Sequence, residues 1–231
     1  MLEICIVPGH ATMNGEDPRN GKDWHLEAYQ QDGGHHLMCF LAHIMAGIAW
    51  LMSNPYGRLV FSGGFTRPGC QRSEAASYLL AARRCGFIHD EAIASRIILE
   101  ENARDSMENV LFGVAAGFAA TRFRIARVHV INFRFKMLRY GDHFNWLNLG
   151  HDTILDYFGI NDPMEPQLSA ALFSEEATRA AFASTSPDAQ RLLREKRQRR
   201  SWAGRVAPDA SLCREWPELS AKLNEWNTAN P

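Results

Sequence analysis

Polar side chains that could bind or transform a small molecule follow each of four predicted strands. They are carboxylates, hydroxyls, cations and histidines, the groups that proteins use to move protons and hold anions. Because the carboxyl ends of parallel strands meet at one edge of a sheet, we expect these clusters to form one pocket. The candidates, which include the two glycines of the turn after the second strand, are His10, Ser62, Gly63, Gly64, Thr66, Ser73, Glu74, Glu100, Ser106, Asn109, Lys136, Arg139 and His143.

The second cluster allows a structural and a functional interpretation. In Ser62-Gly63-Gly64 the two glycines let the backbone turn sharply and bring its N–H groups close to an anion, or simply end a strand. Ser73 and Glu74 open the next helix, so they can act as its cap. Glu74 can instead be a carboxylate at the pocket floor that accepts a proton.

The later clusters also have two interpretations. Asn109 lies one turn into a helix that begins at Asp105 or Ser106, where its amide can hydrogen-bond Ser62 or Glu100 or can face solvent. Lys136, Arg139 and His143 share a helix face, which predicts either an anion site or a solvated basic surface.

Several classes of site have no support in the sequence. The five cysteines are scattered and odd in number, and no His-Glu-x-x-His spacing occurs, so neither disulfides nor a metal site are expected. Phosphate-binding loops, dinucleotide fingerprints and the Gly-x-Ser-x-Gly elbow are also missing. The basic run around Lys196 and Arg197 predicts a solvated face or internal ion pairs rather than a nucleic-acid site.

The order of elements predicts the fold that positions the clusters. Strands and helices alternate four times, which indicates a parallel sheet with helices on both faces. A short helix is expected at residues 24–31, and the chain after residue 160 has helical patterns without a clear strand. The predicted strands are residues 2–7, 58–61, 96–99 and 127–131, and the main predicted helices are 36–53, 73–84, 106–120, 137–144, 174–183, 187–200 and 216–226.

These patterns predict an α/β domain over residues 1–160 and a helical C-terminal extension over residues 161–231. A net charge of −1 gives no general attraction to nucleic acid or acidic membranes. The apolar stretch at residues 37–52 is expected to be a buried helix, not a membrane span. We therefore expect a cytoplasmic protein with a small-molecule ligand, with a homodimer left open.

Five motif pieces occur in a fixed order along the chain: Leu59-Val60-Phe61-Ser62-Gly63-Gly64, Ser73-Glu74-Ala75, Glu100, Asp105-Ser106-x-x-Asn109 and Lys136-Met137-Leu138-Arg139. This order resembles the YdcF/SanA/ElyC-like family, also called domain of unknown function 218, and its soluble fungal branch in particular. The resemblance covers residues 2–158, and Lys136 stands where the family often has a histidine.

The resemblance implies a Rossmann-like three-layer fold, and S-adenosylmethionine or another nucleotide-like molecule as ligand. The residues themselves favour an acid–base enzyme without a redox cofactor, of the isomerase, lyase, cyclase or hydrolase type. In that hypothesis Glu74, Glu100, His10, Lys136 and His143 are catalytic. The ligand-binding residues would be Ser62, Gly63, Gly64, Thr66, Ser73, Ser106, Asn109 and Arg139. The alternative is a binding module without chemistry.

Overall fold

The computed structural model describes residues 2–230, which form seven strands and eight α-helices joined by short 3-10 turns. The strands are β1 (Leu2–Pro8), β2 (Thr12–Met13), β3 (Trp24–His25), β4 (Arg58–Ser62), β5 (Ile97–Glu100), β6 (Ile125–Phe133) and β7 (Ile154–Asn161). The helices are α1 (His35–Ser53), α2 (Glu74–Arg84), α3 (Glu91–Ala94), α4 (Ser106–Thr121), α5 (Met137–Leu147), α6 (Gln167–Ala183), α7 (Pro187–Arg199) and α8 (Pro217–Ala229).

Five strands form one parallel sheet in the order β5-β4-β1-β6-β7. The chain starts in the central strand, builds one half of the sheet through β4 and β5, and then returns to build the other half through β6 and β7. Strand order therefore reverses around β1, and a ligand cavity is expected beyond its carboxyl end.

Side chains of the central strands alternate between two apolar layers. Ile4 and Ile6 of β1 pack with α4, α5 and α8 on one face. Cys5 and Val7 pack with α1 and α2 on the other. Strands buried on both faces are typical of parallel sheets covered by helices. The protein is therefore a three-layer, Rossmann-like α/β structure, and the predicted fold class is confirmed.

The prediction of a short helix at residues 24–31 is wrong. Trp24 and His25 instead pair with β2 in a small antiparallel hairpin, and a 3-10 turn follows at Ala28–Gln30. Trp24 takes an extended backbone because its side chain is buried and its indole N–H donates to the carbonyl oxygen of Pro18 at 3.1 Å. Tertiary packing here overrides local helical preference.

The helices after residue 160 pack against the sheet's helical layer. Trp216, Leu219 and Leu223 are fully buried in the apolar cluster that also holds α4. The basic α7 is tied to the same helix, since Nε of Arg197 lies 2.6 Å from Oδ2 of Asp105, the N-cap of α4. The last third of the chain thus contributes to the core and to the edge above the strands.

Helix α1 has the length and composition of a helix that could cross a membrane. Its most apolar window is 56% buried within the fold, with Phe40 and Ile44 fully enclosed in the layer beneath β1 and β4. The helix is therefore a core element of the structure described by residues 2–230.

Candidate functional site

A cavity of about 350 Å³ lies beyond the carboxyl ends of β1, β5 and β6. Its walls come from the turns after these strands and from α6 and α7. Six of the thirteen residues predicted from the sequence line it, and they come from four separate chain segments. These residues are His10, Glu74, Ser106, Asn109, Lys136 and Arg139.

His10 and Lys136 meet in this cavity with a defined proton arrangement. Oδ1 of Asn132 accepts the backbone N–H of Phe133 at 2.8 Å, and the Asn132 amide nitrogen donates to the hydroxyl of Tyr140. The same Oδ1 lies 2.8 Å from Nε2 of His10, so Nε2 must carry the hydrogen. Nδ1 of His10 is then an acceptor, and it faces Nζ of Lys136 at 3.4 Å.

The surroundings of this pair favour the uncharged forms of both groups. Burial, the positive charge of Arg139 and other nearby cations lower the pKa of Lys136 to about 7, although Glu175 acts in the opposite direction. Burial, and then the charge of Lys136, lower the pKa of His10 well below its ordinary value. Near neutral pH, Lys136 is therefore present both as an ammonium and as a free amine.

More positive charge comes from the C-terminal helices. Arg139 pairs with Glu175 of α6 at 2.9 Å, and both side chains are at least nine-tenths buried. Lys196 of α7 and the following Arg200 also line the cavity, and among residues 2–230 neither forms an ion pair with a carboxylate. Burial, together with the charge of Arg200, lowers the pKa of Lys196 to about 8.

Glu74 lies at the floor of the cavity in a tightly packed position. Thr66 donates its hydroxyl hydrogen to the Glu74 carboxylate. Gly9 and Gly63 pack directly against the Glu74 side chain, and Gly63 has a φ of +150° that side chains rarely adopt. A Cβ at either glycine would collide with Glu74, so these two turns are shaped around the carboxylate.

Ser62 and Glu100 are outside the cavity lining, and Ser62 is connected to it through Asn109. The Ser62 hydroxyl lies 2.6 Å from Oε2 of Glu100 and 3.0 Å from Oδ1 of Asn109, so of the alternatives for Asn109 the contact with Ser62 is the one present. Burial raises the pKa of Glu100 to about 7, although the hydrogen bond to Ser62 works against that rise. Since Ser62 has one hydrogen for two acceptors, a protonated Glu100 completes the network.

His143 reaches the cavity only through a neighbour. Its Nε2 lies 2.9 Å from Oγ of Ser106, which lines the cavity at the first turn of α4. Burial lowers the pKa of His143 to about 3, and the charge of Arg139 adds to this effect. The imidazole is therefore neutral at physiological pH and available to hold or accept the Ser106 hydroxyl hydrogen.

Two predicted ligand-binding residues have structural contacts instead. The Ser73 hydroxyl accepts the backbone N–H of Ala76, which makes it the N-cap of α2, and it donates to Glu101 at 2.7 Å. Gly64 packs under the ring of Trp202. Neither belongs to the cavity lining. The cap interpretation of Ser73 is thus the one that the geometry supports.

The sequence patterns missed a carboxylate–histidine pair in the cavity wall. Nδ1 of His36 lies 2.6 Å from Oδ2 of Asp32, and both side chains are more than nine-tenths buried. His36 lines the cavity together with Tyr29, which comes from the preceding turn. The signal that could have found the pair is an aspartate in the turn just before α1, where its carboxylate can accept the free backbone N–H groups of the first helical turn.

The fold and the cavity together define a Rossmann-like α/β protein with a cation-rich pocket at its strand ends. No family model, curated protein or solved structure matches the chain. Among residues 2–230, no group of three or more His, Cys, Asp or Glu side chains is arranged to hold a metal ion.

Proposed function

We propose that the chain is a small-molecule enzyme that performs acid–base chemistry on an anionic metabolite bound in this cavity. The observation that carries the proposal is the charge of the lining. Six cationic residues line the cavity against three carboxylates, in a protein whose net charge is −1. The cations are Arg67, Arg104, Lys136, Arg139, Lys196 and Arg200, and the carboxylates are Glu74, Asp105 and Glu175.

The excess of positive charge supports an anionic ligand. Lys136, Lys196 and Arg200 have no carboxylate partner among residues 2–230, and the charged forms of both lysines are disfavoured by burial and by neighbouring cations. A phosphate or carboxylate placed between them would relieve that repulsion and would restore the charged form of each amine. Ligand binding and protonation of the lysines are therefore expected to be coupled.

The proton-transfer groups support a reaction of the isomerase, lyase, cyclase or hydrolase type. Lys136 changes its charge near neutral pH, which suits a group that gives and takes protons during turnover. Glu74 faces the same space, and Thr66 holds one of its carboxylate oxygens. In this proposal Glu74 and Lys136 act on the ligand, and Arg139 and Lys196 hold its anionic group.

The test is a panel of phosphorylated and carboxylated metabolites, followed by NMR for both binding and product formation. Conversion of one member by the wild-type chain, lost in Glu74→Gln with the fold intact, would support the proposal. The matched control is Glu101→Gln, which replaces a carboxylate outside the cavity lining. Full activity of Glu74→Gln would remove Glu74 from the chemistry, and binding of no anion would overturn the proposal.

The second candidate is a non-catalytic module that binds S-adenosylmethionine or a nucleotide. Its support is the aromatic part of the lining, because Tyr29, Phe133, Phe135 and Phe182 offer rings on which a base could stack. Calorimetry with S-adenosylmethionine and with adenine nucleotides separates the two candidates. Tight binding without any conversion would favour the module, and no heat from any of these ligands would exclude it.

Membership of the YdcF/SanA/ElyC-like family is likewise a proposal, and it rests on the order of the motif residues in the sequence. Six of the motif residues line one cavity, as expected if the motif describes a binding site; they are Glu74, Asp105, Ser106, Asn109, Lys136 and Arg139. A cytoplasmic location remains a prediction from the sequence, which leaves a homodimer open.

A further inference from the structure

Asp32 and His36 form a carboxylate–imidazole pair whose second ring nitrogen is left for the cavity. The Asp32 carboxylate accepts the backbone N–H of His36 at 3.0 Å and also contacts its Nδ1 at 2.6 Å. Burial works to raise the pKa of Asp32, but these hydrogen bonds outweigh it and hold the pKa below its ordinary value. Asp32 is therefore an ionised acceptor at neutral pH.

The charge of Asp32 determines where the hydrogen of His36 lies. An ionised carboxylate can only accept, so a contact of 2.6 Å requires the hydrogen on Nδ1 of His36. In the neutral ring Nε2 then carries the lone pair. Nε2 makes no hydrogen bond with any residue between 2 and 230, although His36 is only 3% exposed and lines the cavity.

Helix capping alone does not account for this arrangement. Capping uses the contact between Asp32 and the backbone N–H of His36, and it would be satisfied by many residues at position 36. The ring of His36 packs edge-on against Phe40 and Phe133, which fixes its plane. The Phe133 ring also lies 5.2 Å from Nζ of Lys136, so His36 and Lys136 both neighbour this ring in the cavity lining.

We infer that His36, oriented by Asp32, accepts a proton from the bound ligand, and that this ligand is a small oxyanion carrying a hydroxyl group or an acidic C–H bond. The inference rests on the proposed function for the anionic part of the ligand. Nε2 takes the proton, the electron pair of the broken O–H or C–H bond stays on the ligand, and the imidazolium is stabilised by the Asp32 carboxylate. Asp32 is a positioning residue because its carboxylate hydrogen-bonds to His36 and does not belong to the cavity lining.

The first measurement is the position of the hydrogen on His36, read from the nitrogen shifts of protein labelled with ¹⁵N-histidine. His36→Asn, which keeps a donor toward Asp32, assigns the signals. We expect hydrogen on Nδ1 and a free Nε2 in the wild-type chain, with this preference weakened in Asp32→Asn. A ring that carries its hydrogen on Nε2 in the wild-type chain would overturn the inference.

The second measurement is the reaction of His36 with diethyl pyrocarbonate, which acylates a free imidazole nitrogen, mapped by mass spectrometry. With sulfate as the anion probe at roughly ten times its Kd, occupancy predicts roughly tenfold slower modification of His36. The matched control is His35, whose Nε2 lies 3.3 Å from the carbonyl oxygen of Asp162 and which is outside the cavity lining. Its rate is expected to be unchanged by sulfate.

The outcomes separate this inference from the proposed function. Sulfate that binds while His36 stays unreactive overturns the role of His36 and leaves the anion-binding cavity standing. A reactive His36 in a chain that binds no sulfate contradicts both the proposed function and an oxyanion as the ligand of His36. Reaction of His36 that sulfate slows, with His35 unaffected, supports both.

Discussion

Nδ1 of His10 faces Nζ of Lys136 at 3.4 Å across 126 residues of sequence, at the point where strand order reverses around β1. The contact joins the turn after the first strand to the turn after β6. Because burial and the charge of Arg139 lower the pKa of Lys136 to about 7, the charged fraction of Lys136 changes with pH around neutrality.

Sulfate binding is predicted to weaken as pH rises from 6 to 8.5. Sulfate does not titrate in this range, whereas Lys136 loses its charge near pH 7 and Lys196 near pH 8. Calorimetry should show a several-fold loss of affinity in the wild-type chain. Lys136→Met should bind more weakly at pH 6 and with a flatter pH profile. The control is Arg134→Met, in the same turn, because the Arg134 side chain is 64% exposed. A pH profile of Lys136→Met identical to that of the wild-type chain would refute the role of Lys136.

Glu100→Gln is predicted to be more stable than the wild-type chain at pH 8 and similar to it at pH 5. Burial raises the folded-state pKa of Glu100 from 4.5 to about 7. The stability that its proton provides is therefore present below about pH 4.5 and is lost as pH rises through 7. The difference amounts to at most roughly 3 kcal/mol. Urea denaturation of both proteins at the two pH values checks this. A stability difference between the two proteins that is the same at pH 5 and pH 8 would contradict the raised pKa.

Gly63→Ala is predicted to lower the free energy of unfolding by about 1–3 kcal/mol. The backbone φ of Gly63 is +150°, and an added Cβ would lie 2.6 Å from Oε2 of Glu74. Gly141→Ala is the control, since Gly141 lies in α5 with no atom within 4 Å of an added Cβ. That variant should gain up to about 1 kcal/mol from helix propensity. Equal stability of the two variants would show that the turn tolerates a side chain.

Arg197→Met is predicted to destabilise the protein by about 3–5 kcal/mol, because it leaves the buried Asp105 carboxylate without its cation. Burial acts to raise the pKa of Asp105, but Arg197 lowers it to about 2. The guanidinium also lies 4.5 Å from the ring centre of Trp226. Chemical denaturation measures the loss.

The control for that prediction is Arg199→Met on the same helix, where the side chain is exposed. It should change stability by less than about 0.5 kcal/mol. A similar loss of stability in both variants would mean that the total positive charge of α7 stabilises the protein, and that the contact between Arg197 and Asp105 does not.

Much of the fold follows from local patterns in the sequence. Three of the predicted strands match β1, β4 and β5 to within one residue at each end. The fourth lies inside β6, which is longer at both ends (Ile125–Phe133). Continuous apolar runs ended by glycine, proline or charged residues mark strands buried on both faces. Asp105 is the N-cap of α4, as its position before the apolar helix predicts.

Strand β7 does not follow from the sequence patterns, and the reason is its place at the edge of the sheet. Ile154, Phe158 and Ile160 remain substantially exposed, and Gly159 interrupts the β-branched pattern. The signal that identifies a buried strand is therefore weak here. Pairing with β6, which lies earlier in the chain, defines the strand, and a one-dimensional pattern does not contain that pairing.

The candidate site is predictable where its residues follow strands and unpredictable where they come from distant helices. His10, Glu74 and Lys136 lie beyond strand ends that sequence patterns locate. Glu175 and Arg200 reach the same space only because α6 and α7 fold back over it, which depends on tertiary packing. Ser73 is a different case, because its position before α2 predicts the helix cap that its hydroxyl forms, and only its grouping with the strand-end clusters suggested a ligand-binding role.

Because Lys196 and Arg200 are the last residues of the cavity lining to be synthesised, a chain still emerging from the ribosome presents the five strands of the sheet before the cavity is complete. The residues that fill the sheet's outer layer, Trp216 and Leu223, follow even later. In the proposed function, ligand recognition would then begin only once α7 has left the ribosome, and proteolytic trimming back to α6 would remove two cavity cations together with part of the core.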